Sequence, residues 1–478
     1  MRKEVLIPLL AVLLAIKFAI DNVGDTDLFW HLRLGLDLIE AGAMRARVLY
    51  TWTFDGDFPP FDWLSQVLMG GAYSLGGYLS LALFKAALAA LLALCLYRAA
   101  LLRSGHNVRA AGFAAGLMII VAAANFSTRP LFLAHVLLAI EILLLEEART
   151  NARRWTLVLL PPLFVLWGNI HGSWPFALGP IAVFAAESLL PLQLKFWRIG
   201  ARFFRDSSPK LALFGGLAFV ACILAQLLTP DPMRFLTRPF QWVGGGTEGV
   251  MEEWAAVPTN HPSFWFLLAV GGLLLVNLLR AKKPLPLFET LFVALAFGMA
   301  LAKFRLIANF AIVGTPLLAA VLAPHISPEG FRSARNNAIL AAAALLLLGG
   351  ISLFNLSRVD EVAESVVPKS AVEALKASGK SQLPGFNYFD WGGFLVHQKI
   401  PTFIDGRLEP FESTGVLATY LQIERDADLS ALEARGVAWI LTRRDLPMAA
   451  ALANADGWTR VHQSEDGSGA ELWLREVP

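Results

Sequence analysis

Charge and thiols are what this chain has least of. Only 16% of its 478 residues are charged, and 40 Lys+Arg against 38 Asp+Glu leave a formal net charge of +2. That balance is too small for a protein that neutralises a nucleic-acid backbone, so no nucleic-acid partner is expected. The two cysteines, Cys95 and Cys222, both sit inside apolar runs. They provide neither a disulfide framework nor a thiolate metal site. Gly392-Gly393 has neither the Walker nor the dinucleotide-binding spacing, which leaves no phosphate loop. No small-residue cleavage site follows Met1-Arg2-Lys3 and its apolar stretch. The stretch reads as a retained first helix, not a cleaved signal peptide.

What is abundant is hydrocarbon. Hydrophobic residues make up 56% of the chain and the mean hydropathy is +0.56, the composition of an integral membrane protein. About eleven apolar runs come near the ~20 residues that a membrane crossing needs. They lie near 5–21, 77–98, 110–125, 131–146, 155–169, 174–191, 211–228, 263–279, 286–302, 304–323 and 337–355. Basic residues collect between alternate runs, at Arg98, Arg103 and Arg109, at Arg149, Arg153 and Arg154, and at Lys195, Arg198, Arg202, Arg205 and Lys210. Arg280, Lys282 and Lys283, then Arg332 and Arg335, continue the series. The positive-inside rule makes those connections and the N-terminus cytoplasmic. An odd number of spans then places residues 356–478 outside.

The polar clusters that do not look like plain solvated loops all fall on the outer side. The first outer loop, 22–76, holds Asp25, Asp27, His31 and Arg33, then Asp62, Trp63 and Gln66. Asp27 and His31 are four residues apart and share a helix face. Later outer turns carry Arg129 before Pro130, His171 in Trp167-Gly-Asn-Ile-His171-Gly-Ser-Trp174, Glu253 beside Trp254, and Lys303 with Arg305; Lys85 lies in the outer half of the second span. Charges within a membrane are costly, so grouping around water or an anionic ligand is the economical arrangement. Each also has a plain structural role. Arg129 could start a helix and snorkel, His171 could be a satisfied turn residue, Lys303 and Arg305 could anchor helix ends, and Glu253 could neighbour an aromatic belt.

After Leu356 the composition becomes that of a soluble domain. Pro368 opens a helix that ends near Gly379. Strand-like segments at 385–389, 437–442, 458–463 and 469–475 alternate with helices near 411–424, 429–435 and 446–455. The alternation predicts a small α/β domain with a mixed sheet and a terminal hairpin around Asp466-Gly467-Ser468. Asp390, Asp405 and Arg407 lie just past strand ends, where such domains bind ligands, although an Asp–Arg pair there reads better as a structural salt bridge. The chain thus divides into a polytopic helical domain, 1–355, and an outer α/β domain, 356–478.

The run Asp25-Thr-Asp-Leu-Phe-Trp-His31-Leu-Arg-Leu-Gly35, the retained first helix and the outer C-terminal domain resemble the GT-C superfamily of integral membrane glycosyltransferases. The Trp167–His171 turn, Glu253-Trp254 and Phe403-Ile-Asp-Gly-Arg407 are similar to a bacterial branch of it. The resemblance implies a polyprenyl-phosphate-linked sugar donor, a lipid, glycan or protein acceptor, and a bacterial inner (plasma) membrane location. It also implies a carboxylate in the first outer loop as base or metal ligand, mapping onto Asp27 or Asp25. A divalent ion, Mg or Mn, would then be held by Asp25, Asp27 and His31. His31, Arg129, His171, Glu253, Lys303, Arg305 and Lys85 would bind substrate. There is no Asp-Glu pair as in protein mannosyltransferases and no Trp-Trp-Asp motif as in oligosaccharyltransferases, which weighs against protein acceptors. Two other classes stay open. A transporter or flippase for a lipid-linked substrate would use the same outer charges, but internal repeats and paired broken helices are missing. A non-catalytic envelope assembly factor would use the spans as an anchor, and needs far fewer of them.

Overall fold

The computed structural model describes residues 3–21, 23–44, 50–56, 61–190, 193–194, 208–233, 236–237, 254–280, 285–328 and 334–476. Every apolar run read from the sequence coincides with a helix among them. Five helices among the described residues are long and apolar enough to cross a membrane: Trp63–Arg103, whose backbone leaves the helical conformation at Gly76 and Gly77, Val108–Asn125, Pro209–Leu228, Pro262–Leu279 and Phe304–His325. Shorter apolar helices cover Arg154–Ile170, Trp174–Leu189, Leu287–Ala302 and Ala341–Ser357. Glu253 and the basic residues Lys195, Arg198, Arg202, Arg205, Lys282, Lys283 and Arg332 lie outside the described residues.

The chain splits into two compact units. One contains Met1–Asn22 and Ala82–Ser357; the other contains Val23–Leu81 and Arg358–Pro478. The segment that follows the first helix therefore belongs to the same unit as the C-terminal domain.

In the helical unit, local sequence sets the helix starts. Pro130, Pro209 and Pro262 occupy first-turn positions, where a missing N–H costs nothing. Asn107 Oδ1 accepts the Arg109 and Ala110 amides, and Ser208 Oγ accepts that of Leu211, satisfying donors that a helix end leaves open. Of the five long apolar helices, Phe304–His325 is the most buried, 83% of its apolar stretch against 17% for Pro262–Leu279. Ala110, Ala111, Ala114 and Ala115 are fully buried on Val108–Ala122, small residues that let backbones approach closely.

At one end of this bundle the arginines form ion pairs. Arg149 donates to Glu146 Oε1 at 2.9 Å, to Glu187 Oε2 at 3.2 Å and to Glu289 Oε2 at 3.3 Å. Arg103 pairs with Glu289 and lies 3.6 Å from Glu146, while Arg98 donates to Glu147 at 2.9 Å. Glu187 Oε1 also accepts the Glu289 amide at 2.8 Å. Arg103, Arg149 and their partner carboxylates are largely buried, so each charge depends on the others for solvation.

The second unit holds a four-stranded sheet in the order Gly385–Asn387, Trp439–Arg443, Ala470–Arg475, Trp458–Gln463. The first pair is parallel, with Phe386 opposite Ile440; the others are antiparallel, with Leu441 opposite Leu472. This is the mixed sheet with a terminal hairpin that the alternation predicts. One helix differs. The segment expected as a helix over 411–424 is broken by Gly415, which takes a left-handed φ of 76°, into Glu409–Ser413 and Val416–Asp426. The early segments of the unit dock by backbone contact. Helix Leu28–Ala41 crosses the start of helix Trp63–Arg103 where Gly35 meets Gln66 and Gly70. Thr51 forms a parallel bridge with Thr402.

Two outcomes follow. Arg149→Met leaves buried Glu187 without its ion partner, and Glu146 and Glu289 with Arg103 alone; it is expected to lower unfolding free energy by about 3–5 kcal/mol, read as a lower thermal midpoint of the solubilised protein. In the sheet-bearing unit both carboxylate oxygens of Glu424 are buried and lack a hydrogen-bond partner among the described residues. Burial pushes its carboxyl up from 4.5 to about 7. The folded state thus keeps a proton that the unfolded chain releases, so this stabilisation is complete below about pH 4.5 and is lost as pH rises through about 7. Glu424→Gln should flatten the fall in thermal midpoint between pH 5 and pH 8.

Candidate active site

The acidic loop of the second unit is built from the turn upward. Asp25 Oδ1 accepts the Asp27 amide at 2.9 Å, a side-chain turn that sets the start of helix Leu28–Ala41. Asp27 stands at the N-cap of that helix, yet its carboxylate does not accept the first-turn amides. Its Oδ1 instead takes the Trp30 indole Nε1–H at 3.1 Å. His31 is buried and stacks on Trp30, ring centroids 3.5 Å apart. The two carboxylates thereby take different parts: Asp25 shapes the turn, and Asp27 is held sideways by an aromatic donor.

The C-terminal domain supplies the floor of this loop. A Cβ at Gly406 would overlap Asp27 Oδ1 and stand 2.9 Å from Trp30 Nε1; one at Gly393 would come within 2.6 Å of the Thr26 carbonyl oxygen. Only glycine permits such approaches. Asp405 and Arg407, on either side of Gly406, are both buried and joined by a bidentate pair, Arg407 Nε to Oδ1 at 2.7 Å and Nη2 to Oδ2 at 2.6 Å. They pair with each other, as a structural salt bridge would. Asp390, in contrast, accepts the Tyr388 hydroxyl at 3.0 Å at the surface.

Around the loop, Arg33 binds Asp37 Oδ1 at 2.6 Å and the Tyr50 hydroxyl donates to Asp37 Oδ2 at 2.9 Å. His397 sits edge-on to Phe29 and Tyr73. Burial, reinforced by the Arg33 charge, lowers its imidazole from 6.5 to about 4, leaving it neutral near pH 7.

Sequence candidates in the helical unit gather at two turns. Lys85, buried, donates to Thr128 Oγ1 at 3.0 Å and lies over the Phe132 ring at 5.6 Å, next to Arg129. Asn125, in the same turn, accepts the Ala308 amide at 2.9 Å and donates to the Phe304 carbonyl at 3.3 Å. It thus couples the Arg129 turn to the one bearing Lys303 and Arg305. Arg305 stacks over Trp254 at 4.3 Å. His171 belongs to a second group: its Nδ1 accepts the Ser173 amide at 3.1 Å, and Trp167 Nε1 donates to Ser173 Oγ at 3.1 Å. With Nδ1 as acceptor, the neutral ring carries its proton on Nε2. Nearby, Asn169 donates to the Leu228 carbonyl at 3.3 Å.

Asp25, Asp27 and His31 do not form a group able to hold a metal ion; no such group of three or more occurs among the described residues. The divalent ion expected from the sequence therefore finds no ready ligand set here. Trp30, Gly393 and Gly406 join the loop through contacts that no sequence pattern marks, although Gly406 stands within Phe403–Arg407.

No family model matches the chain, and no curated protein matches it in sequence. Solved structures do match in fold. The oligosaccharyltransferase AglB from Archaeoglobus fulgidus, in complex with an inhibitory peptide and a dolichol-phosphate, superposes with a TM-score of 0.59 at 12% identity, over 94% of this chain and 70% of that one. The same enzyme in complex with Zn and sulfate gives 0.50 at 15% identity, over 94% and 70%. ArnT from Cupriavidus metallidurans, bound to undecaprenyl phosphate, gives 0.54 at 12% identity, over 98% of this chain and 97% of that one. With its apolar helices and C-terminal sheet, the chain is a multi-pass membrane protein with the fold of AglB and ArnT.

Proposed function

We propose that the chain is a membrane glycosyltransferase that moves a sugar from a polyprenyl-phosphate donor to an acceptor hydroxyl. The observation that carries this reading is the Asp27 carboxylate, turned from its own helix and held by Trp30 against Gly406, in a chain with the fold of two enzymes solved with polyprenyl-type phosphates. In the reaction the acceptor oxygen attacks the anomeric carbon and its proton passes to a carboxylate. The bond from that carbon to the phosphate oxygen breaks, and polyprenyl phosphate departs with the electron pair. Such a step needs a positioned base and cations where negative charge builds.

Asp27 is the base in this reading, and Asp25 supports it by fixing the turn. Lys85, Arg129, Lys303 and Arg305 receive the phosphate charge, with Lys85 already partly dehydrated beside Thr128 and Phe132. His171, donating from Nε2, and His31 orient the sugar or the acceptor; Glu253 is retained as a substrate residue from sequence alone. The acidic loop and the C-terminal domain are extracytoplasmic in a bacterial inner membrane, with the N-terminus cytoplasmic. The distribution of arginines favours that orientation, since acidic partners count little in the rule.

The test is transfer by the purified protein offered a panel of polyprenyl-phosphate sugars, read as released polyprenyl phosphate. Asp27→Asn should lower kcat by about 10²–10⁴-fold, the range for loss of a general base. Asp25→Asn keeps an oxygen for the Asp27 amide and should lose less than about tenfold, because the hydrogen bond that forms the turn survives. Full transfer by folded Asp27→Asn would overturn the assignment. Lys85→Met should chiefly raise the donor KM.

A further inference from the structure

We infer that the C-terminal segment Thr402–Arg407 is a positioning element for the Asp27 carboxylate, with Gly406 as its contact point; this rests on the reading of Asp27 as the base. The segment lies far from Asp27 in sequence and is pinned from two sides. From within the C-terminal domain, Asn387 donates to the Ile404 carbonyl at 2.9 Å and accepts the Phe403 amide at 2.9 Å. Gly392 packs so tightly on it that a Cβ there would come within 2.7 Å of Asp405 Cα. From the first loop, Thr53 Oγ1 donates to the Phe403 carbonyl at 2.6 Å and Thr51 Oγ1 to that of Thr402 at 3.0 Å. Thr402 in turn donates its amide to the Tyr50 carbonyl at 3.1 Å.

Between these pins the Asp405–Arg407 pair locks the turn that carries Gly406. Arg407 meets Asp405 through its backbone amide at 3.0 Å as well as its guanidinium, and the two side chains are 1% and 0% exposed. A buried, bidentate pair two residues apart fixes the backbone between them. That backbone is the surface against which Asp27 Oδ1 rests, with the Trp30 indole on the same oxygen. The carboxylate is therefore set by two rigid neighbours, one from its own helix and one from the other end of the chain. Gly406 makes no contact with substrate in this scheme and acts only through Asp27.

Gly406→Ala tests this directly, because the added methyl must displace the carboxylate. A misplacement of about 1 Å costs on the order of 10² in rate, so kcat should fall by that order while the donor KM and the thermal midpoint stay close to wild type. The rising limb of the pH–rate profile should shift as well, which a merely structural lesion would not cause. The double variant Gly406→Ala/Asp27→Asn should be no slower than Asp27→Asn alone, since only one base is lost. Thr53→Val, which removes one pin and leaves both Asp27 and Gly406 intact, should give a smaller loss in kcat with unchanged KM. Wild-type kcat in both Gly406→Ala and Thr53→Val, or losses that multiply in the double variant, would overturn the inference. Failure of the underlying reading shows separately, as full transfer by Asp27→Asn.

Discussion

The candidate site depends on a short backbone pairing between residues about 350 positions apart, Thr51–Thr53 against Thr402–Phe403. Closing so long a loop costs little more than closing a much shorter one, because the entropy grows only logarithmically with length. The pairing is dense for its size. Three threonine hydroxyls, two backbone amides and the Trp52 indole, which donates to the Gly385 carbonyl at 2.9 Å, all take part. Without it, Gly393 and Gly406 would have no reason to stand under the acidic loop. The aromatic contact of Phe29 with Phe394, centroids 5.1 Å apart, extends the same attachment along the first helix of the loop.

The helical unit answers a different constraint. Its helices are apolar nearly all round, so the hydrophobic effect alone does little to choose among packings once lipid surrounds them. Specific polar contacts can choose. Arg103 and Arg149 meet carboxylates from three separate helices, and Asn125 stitches the turn before Pro130 to the start of Ile307–Leu322. These are directional bonds at helix ends, and they decide which helices adjoin.

Much of the fold was legible in the sequence. Apolar runs marked the helices because a membrane-sized run has few other uses, and the alternation after Leu356 marked the mixed sheet. The arginines were legible only as loop charges. That Glu146, Glu187 and Glu289 would gather on two of them needs a knowledge of helix neighbours that hydropathy does not carry. The acidic pair was legible because carboxylates at the mouth of an apolar run are costly. The division of labour between Asp25 and Asp27 was not, since both are aspartates in the same short loop and only the indole of Trp30 tells them apart. Gly406 was visible as a letter in Phe403–Arg407 but silent as a contact, because a glycine needed for close approach looks the same as one needed for a turn.

The pairing of the first loop with the last domain also dictates an order of events during synthesis. Chains are made at about 5–20 residues per second, so Thr51–Thr53 leave the ribosome some tens of seconds before Thr402 does. For that interval the carbonyl of Tyr50 and the indole of Trp52 wait for Thr402 and Gly385, and the hydroxyls of Thr51 and Thr53 have only each other. The Asp25–Asp27 loop is thus among the first polar features of the chain to be made, and while its own turn and the Trp30 bond are local, the contact of Asp27 with Gly406 comes only after residue 406 has been synthesised.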